Sequence, residues 1–206
     1  MTENWPSVKI KNKGLEVEQV ISRHDEPFET KRNPESATEL PASADLILTE
    51  SINDDHPAEF EIKFTNTSDE SLEVGFGPTP PFDNYGGQYN ENHILYLLPL
   101  KTEGSTLNIE HLIPTAPSSG VWKTKDHFVI PDQSTRLSIE PNESVSRKYV
   151  LLAPASEQDP DRENILSNKE SKYKEIECDF EMSYRIDDRM EKGSRLLCWQ
   201  FSIVIG

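Results

Sequence analysis

The stretch from Ala58 to Phe82, AEFEIKFTNTSDESLEVGFGPTPPF, has the clearest alternation of apolar and polar residues in the chain. Apolar side chains recur at every second position in two runs, Phe60–Phe64 and Leu72–Phe76. This period of two predicts strands with one buried face. The polar residues Asn66–Glu70 between the runs are types whose side chains bond their own backbone. The sequence therefore predicts a β-hairpin of two strands joined by a tight polar turn.

A second clear alternation lies near the end of the chain, in the runs Ile176–Ile186 and Leu197–Ile205. These runs predict a closing hairpin. Cys178 falls on the apolar face of the first strand, whereas Cys198 has the opposite parity from the apolar residues of the second. Because side chains on opposite faces of one sheet cannot reach each other, we expect two free thiols.

Shorter segments complete the pattern. Strands are also predicted at about 15–22, 44–50, 93–99, 106–112, 121–122, 127–130, 137–139 and 145–152. The apolar run at 93–99 is continuous, which is typical of a central strand or of one covered on both faces. A short helix is expected between about Asp159 and Asn168. Strands of this length, separated by turns and without a long helical pattern, predict an all-β fold, an antiparallel β-sandwich with long loops and at most one short helix.

The prolines and charges of the first part suggest a division of the chain. Residues 1–43 are predicted to be an N-terminal extension made of one strand and a charged linker that contains Pro27, Pro34 and Pro41. Residues 44–206 are predicted to form the β-sandwich domain.

Residues 77–92 form a long stretch rich in Gly, Pro, Tyr and Asn, which predicts a loop. Loops of this length are uncommon inside a compact domain and are often functional. Aromatic side chains of the kind found here make binding surfaces. We therefore treat the stretch as a candidate partner-binding loop, with Pro80, Pro81, Phe82, Tyr85 and Tyr89 as its candidate residues. In the alternative interpretation, Phe82 and one tyrosine cap the end of the sandwich.

The net charge changes the choice of partners. The 206-residue chain has a formal net charge of −16, which repels nucleic-acid phosphates and anionic membranes. We therefore expect neither nucleic acid nor membrane insertion, and another protein as the candidate partner. The charge also suggests a protein adapted to a salt-rich cytoplasm, because salt screens self-repulsion. The N-terminal residues lack the apolar run of a signal peptide, so a cytoplasmic location is expected.

The sequence contains no recognisable catalytic motif of the GxSxG, HExxH, P-loop or GxGxxG type. The five histidines are scattered over separate predicted loops and strand ends, without the short fixed spacing of metal ligands. The run Asp159, Asp161 and Glu163 lacks the Gly and distal Glu of a calcium loop. The sequence thus predicts a protein that is not an enzyme and that has neither a cofactor nor a metal. Two glycosylation sequons begin at Asn66 and Asn142, at turns where Asn is favoured on conformational grounds.

A family resemblance rests on four segments that occur in order: FTNTSDESLEVGF, Val121-Trp122, LSIEPNESVSRKYVL and the closing strand. Together they resemble the bacterial intracellular proteinase inhibitor family, a small immunoglobulin-like sandwich. The chain also resembles uncharacterised immunoglobulin-like proteins of halophilic microbes, in which a proline-rich segment such as FGPTPPF follows the first pair of strands. The resemblance implies proteinase inhibition as the alternative to a general binding module. The stiff segment Gly77–Pro81 is then the candidate exposed loop.

Overall fold

The protein, in a computed structural model, is all-β and antiparallel, as predicted. The structure describes residues 5–22, 40–90, 93–102, 108–129, 133–155, 175–188 and 193–206. Within these ranges the regular elements are ten strands and one short 3-10 helix, Glu110–Leu112. The strands are β1 Val8–Ser22, β2 Ala42–Glu50, β3 Glu59–Asn66, β4 Leu72–Phe76, β5 Gly86–Asn90, β6 His93–Pro99, β7 Thr135–Ile139, β8 Ser144–Leu152, β9 Ile176–Asp188 and β10 Gly193–Ile205.

The strands form one hydrogen-bonded sheet in the order β1-β10-β9-β5-β6-β8-β3-β2, with β4 joined to β9 and β7 joined to β4. The sheet curls until it is nearly closed, so that β1 and β2 lie beside each other. There the amide Nδ2 of Asn12 donates to the carbonyl oxygen of Ala44 at 3.5 Å. The alternating apolar side chains therefore point into one enclosed core.

The prediction that β3 and β4 pair as a hairpin is wrong, although both strands are present. β3 pairs with β2 and β8, whereas β4 pairs with β7 and β9. The chain forms an arch: the two strands face each other across the core through side chains, and the Phe64 and Phe76 ring centroids lie 5.5 Å apart. The turn from β7 to β8 is a second arch, because β7 pairs with β4 and β8 with β3 and β6. Alternation reports which face of a strand is buried, and it carries no information on which strand pairs with it.

The closing hairpin is confirmed, since β9 and β10 pair along their whole length. The prediction that the two cysteines do not bridge is confirmed as well: Cys178 is buried, Cys198 is partly exposed, and neither is in a disulfide bond. Their register partners are Ile203 and Ser183 respectively, which places them at different rungs of the ladder as well as on different faces.

The first strand is longer than predicted and begins at Val8. It pairs with β10, and its first residues alternate in the sequence as VKIK, a signal that could have extended the prediction. The predicted division at residue 43 falls within β2, and β1 is a strand of the same sheet. Just before β1, Ser7 N–H donates to the carbonyl oxygen of Gly206 at 2.7 Å, and Gly206 N–H donates to that of Ser7 at 3.0 Å.

Three other expectations need correction. The predicted loop 77–92 contains β5, which the glycines conceal. A side chain on Gly87 would place its Cβ 2.3 Å from the Phe180 ring, so glycine lets the strand pass over that ring. The segment predicted as a strand near residue 110 is a 3-10 helix where it is described. Residues 121–122 and 127–129 form no strand; Val121 takes part in an isolated bridge with Ser118. The predicted helix at 159–168 lies outside the described residues.

Residues 108–129, here called the cover segment, lie between β6 and β7 in the chain and add to the core. They contribute the buried side chains Ile109, Leu112 and Trp122. Thr124 N–H donates to the carbonyl oxygen of Ala153, immediately after β8, at 2.9 Å. The expectation that residues 93–99 are covered on both faces is confirmed, because the adjacent side chains Leu97 and Leu98 are both fully buried.

Candidate functional site

Four of the five predicted site residues lie in the bend between β4 and β5, residues 77–85, and most of this bend is buried. Pro80, Pro81, Phe82 and Tyr85 are all buried. Phe82 and Tyr85 have no exposed surface. The expectation that this segment is an exposed loop is therefore wrong for these four residues. Tyr89 belongs to β5, and its side chain lies outside the described residues.

Tyr149, from β8, makes hydrogen bonds to the backbone of the bend. Its hydroxyl accepts a hydrogen bond from the backbone N–H of Phe82 at 3.1 Å and lies 2.9 Å from the carbonyl oxygen of Phe82. The carbonyl oxygen of Thr79 is also within reach, at 3.2 Å. Burial raises the pKa of Tyr149 well above its usual value, so the phenol stays neutral and keeps its donor proton. One side chain thus pairs polar backbone groups that the core would otherwise leave unsatisfied.

Tyr85 and Thr79 form a second buried polar contact through their hydroxyl groups. Burial raises the pKa of Tyr85 to about 12, and the bond to Thr79 partly opposes this shift. The backbone of Tyr85 is paired too, because its carbonyl oxygen accepts from Leu97 N–H at 2.8 Å. The predicted tyrosine therefore closes the bend onto β6.

The Phe82 ring occupies the centre of an aromatic cluster. Its centroid lies 5.5 Å from that of Phe201, 5.9 Å from Tyr149 and 6.3 Å from both Phe180 and Trp199. Such distances are typical of stabilising aromatic pairs. The ring joins residues from β8, β9 and β10, so Phe82 has a structural role inside the core.

Asp83 is a partly buried carboxylate within the bend. Its Oδ2 atom would lie 1.2 Å from a Cβ built on Gly77, so any side chain at position 77 would displace it. Burial raises the pKa of Asp83 to about 6, although the backbone N–H groups of Asp83 and Gly77 bond to the carboxylate and lower it. The carboxylate therefore changes its charge in mildly acidic conditions.

Arg147 ties the bend to the next loop. Its Nε donates to the carbonyl oxygen of Pro80 at 2.9 Å, and its Nη1 donates to that of Lys101. Arg147, Tyr149 and Asp83 were not predicted as site residues, because each belongs to a stretch with an ordinary strand or loop pattern. The signal that could have found them is the excess of prolines in the bend, whose unpaired carbonyl groups need donors from elsewhere.

An apolar surface lies beside the bend. The ring of Phe128 is 5.0 Å from that of Tyr96 and 6.5 Å from that of Tyr85. The next residue, Val129, is 89% exposed. We refer to Tyr96, Phe128 and Val129 as the Phe128 surface. It covers the outer side of the buried Tyr85, one of the predicted site residues.

Within the described residues, no group of three or more His, Cys, Asp or Glu side chains is placed to hold a metal ion. No helix in the same ranges has the length and apolar character needed to cross a membrane.

Comparisons of the chain with protein-family models, with curated proteins and with solved structures found no match in any of the three. The resemblance to the intracellular proteinase inhibitor family therefore stays a prediction.

Proposed function

We propose that the protein is a non-enzymatic interaction module that binds another protein through the Phe128 surface. The observation that carries the proposal is the exposure of Val129, at 89%, beside an aromatic side chain already anchored on two tyrosine rings. Apolar side chains gathered on a surface and supported by rigid aromatic residues are typical of protein-binding sites. The acidic character of the chain argues for a protein rather than a nucleic acid as the partner.

The proposed binding surface is formed by the residues that cover the bend and not by the bend itself. Pro80, Pro81, Phe82 and Tyr85 support the Phe128 surface from within. Tyr85 is in ring contact with Phe128, so the predicted loop would act by positioning that ring.

The test compares two matched substitutions of exposed aliphatic residues. Val129→Asp places a charge on the Phe128 surface, and Ile47→Asp places one on β2, where Ile47 is 49% exposed. Partners are captured by affinity purification, identified by mass spectrometry and purified, and their binding is then measured by calorimetry. The proposal expects a partner that binds the native protein and the Ile47→Asp variant and loses at least about tenfold in affinity for Val129→Asp. Equal affinity for both variants would contradict it.

Proteinase inhibition, the alternative from the resemblance, is a weaker proposal. Its candidate segment was Gly77–Pro81, but Pro78, Thr79, Pro80 and Pro81 are buried. A protease-binding loop has to reach the enzyme's cleft, so burial argues against this segment. Assays against a panel of serine proteases at micromolar protein test the idea, and the lack of inhibition across the panel would count against it.

The finer fold assignment and the environment are also proposals. We assign the curled sheet to the immunoglobulin-like sandwich class, and the two arches that cross between facing strands support this assignment. Two cysteines that form no disulfide bond are compatible with the reducing cytoplasm. Adaptation to salt is supported by the exposed carboxylates that follow one another on β9 and just before it, Glu175, Glu177, Asp179 and Glu181. A marked gain in unfolding free energy in molar KCl would support salt adaptation, and a flat response would refute it.

A further inference from the structure

We propose that the turn formed by residues 53–56, between β2 and β3, is a proton-sensitive latch on the cover segment. The proposal follows from the hydrogen bonds of His56, which fix the ring's protonation state. Its readouts do not depend on the proposed binding function.

The two ring nitrogens of His56 face groups of opposite character. Nδ1 lies 3.0 Å from the carbonyl oxygen of Pro57, which can only accept a hydrogen bond. Nδ1 must therefore carry the ring proton. Nε2 lies 2.8 Å from the amide Nδ2 of Asn53, so it accepts a hydrogen bond with its lone pair.

The orientation of the Asn53 amide is set by two further bonds. Its Oδ1 accepts from the backbone N–H of Asp55 at 2.8 Å and from that of His56 at 3.1 Å. Rotating the amide by half a turn would bring its NH₂ group against both of these donors. Asn53 therefore presents a donor to His56 and cannot present an oxygen without breaking the turn.

A second proton on His56 would sit on Nε2 and point at the NH₂ group of Asn53. Two donors cannot remain at hydrogen-bond distance, so the imidazole or the Asn53 side chain has to move. The turn also contains the backbone bond from Asn53 N–H to the carbonyl oxygen of His56, 3.0 Å long. Proton uptake thus acts directly on the geometry of the turn.

The turn holds the cover segment through Trp122. The indole Nε1 of this fully buried residue donates to the carbonyl oxygen of Asn53 at 2.7 Å. The bond from Trp5 Nε1 to Asp54 Oδ1, at 2.9 Å, secures the same turn from the N-terminal side. Opening the turn would weaken the attachment of Trp122 and of the segment that carries it.

Charged groups lie in the turn and in the elements next to it, but the clash between the two donors of His56 and Asn53 does not involve them. They are Asp54 and Asp55 within the turn, Glu50 and Glu59 at the paired strand ends beside it, and Lys123 and Lys125 in the cover segment. The imidazole nitrogens themselves are engaged by two neutral groups, the amide of Asn53 and the carbonyl of Pro57.

Nuclear magnetic resonance of the intact protein tests the latch. Side-chain ¹⁵N shifts should show His56 with its proton on Nδ1 at about pH 7.5. Indole N–H exchange of Trp122 is then compared with that of Trp199, an equally buried indole bonded to Asn12 instead. On acidification to about pH 5, the ratio of the Trp122 to the Trp199 exchange rate should rise at least about fivefold, the effect of losing one hydrogen bond.

The matched variant is Asn53→Asp. Its carboxylate keeps one oxygen on the two backbone donors and places the other beside Nε2, where it favours the doubly protonated ring. The acid-induced rise in the Trp122 ratio should disappear. Three outcomes would each overturn the proposal. The His56 ring proton could be found on Nε2 at about pH 7.5, or the Trp122 to Trp199 exchange ratio of the native protein could stay unchanged on acidification. The third is an acid-induced rise of that ratio in Asn53→Asp as large as in the native protein. The first two outcomes need no variant, so the test holds even if the variant does not fold.

Discussion

The side-chain amide of Asn66 donates a hydrogen bond to the carbonyl oxygen of Ile139 at 2.8 Å, and this bond joins the two arches of the fold. The same amide donates to the carbonyl oxygen of Glu70 at 2.7 Å, and its Oδ1 accepts from Ser68 N–H at 2.9 Å. The Asn66 backbone adds two more links to the second arch, through Glu143 and Asn142. A single buried residue thus organises both crossings.

Replacing Asn66 with Ala should lower the free energy of unfolding by about 2–4 kcal/mol, because buried carbonyl groups lose their donors. Urea denaturation measures the change. Asn142→Gly is the control, since Asn142 lies in the second arch at a φ of 64°, a conformation that glycine adopts without strain. A loss in Asn66→Ala no larger than that in the control would contradict the assigned role. The glycosylation sequon at Asn66 is closed to a glycan in the folded protein for the same reason, because its amide is buried and bonded.

Asp83→Asn should stabilise the protein at about pH 7.5 by about 1–3 kcal/mol. The folded-state pKa of Asp83, about 6, is raised above the ordinary aspartate value of 3.8, so the folded state binds the proton more tightly than the unfolded one. The contribution of this group to stability is therefore present at low pH and is lost as the pH rises from about 4 to 6.

The measurement is the unfolding free energy of native protein and variant between about pH 4 and pH 7.5. The difference between them should grow with pH across that window. Asp45→Asn, at an exposed position of β2, serves as the control for removing one negative charge. A difference that is constant with pH would show that Asp83 titrates alike in both states.

Two tyrosines of the core should respond in opposite ways to loss of the hydroxyl group. Tyr149→Phe leaves the Phe82 N–H without its partner and should cost about 1–3 kcal/mol of unfolding free energy. In the described part of the chain, the buried Tyr184 hydroxyl makes no hydrogen bond. Tyr184→Phe should therefore be neutral or stabilising by up to about 1 kcal/mol, while its ring contacts with Phe64 and Phe76 persist. Thermal unfolding of the two variants measures the change in unfolding free energy. Equal losses of stability in Tyr149→Phe and Tyr184→Phe would contradict the prediction.

The two cysteines should react with a thiol reagent at widely different rates. Burial raises the pKa of the Cys178 thiol to about 12, and the thiolate is the reactive form. The partly exposed Cys198 should react first in the folded protein, and Cys178 should wait for opening of the core. In the denatured, unreduced protein, titration should find both thiols free. If the rapid phase is lost in the Cys198→Ser variant, Cys198 is the thiol that reacts first. A rapid phase that persists in this variant would show that Cys178 reacts first instead.

The sequence predicted where strands lie more accurately than how they pair. The alternation in β3, β4, β9 and β10 follows from one buried face, a property of each strand alone. The separation of β3 from β4 depends on Asn66 bonding to Ile139, a residue far along the chain, and no local pattern encodes that contact. The closing hairpin was predicted from the same kind of pattern, and its two long strands do pair with each other.

The candidate site shows the same limit. Aromatic residues among prolines and glycines are compatible with a binding loop and with a buried bend, and Phe82 belongs to the second class because Tyr149 and Arg147 satisfy the backbone around it. Val129 could be singled out only after the structure had placed the ring of Phe128 against Tyr85 and Tyr96.

The reciprocal bonds between Ser7 and Gly206 have a mechanical consequence. Tension applied between these two residues would act on the first rung of the β1–β10 ladder and open the rungs one after another, as a zipper opens. The two arches do not bear this tension. The protein should therefore be weak when pulled at these two points and much stronger when pulled between residues such as Ala42 and Gly206, whose separation requires the sheet to shear.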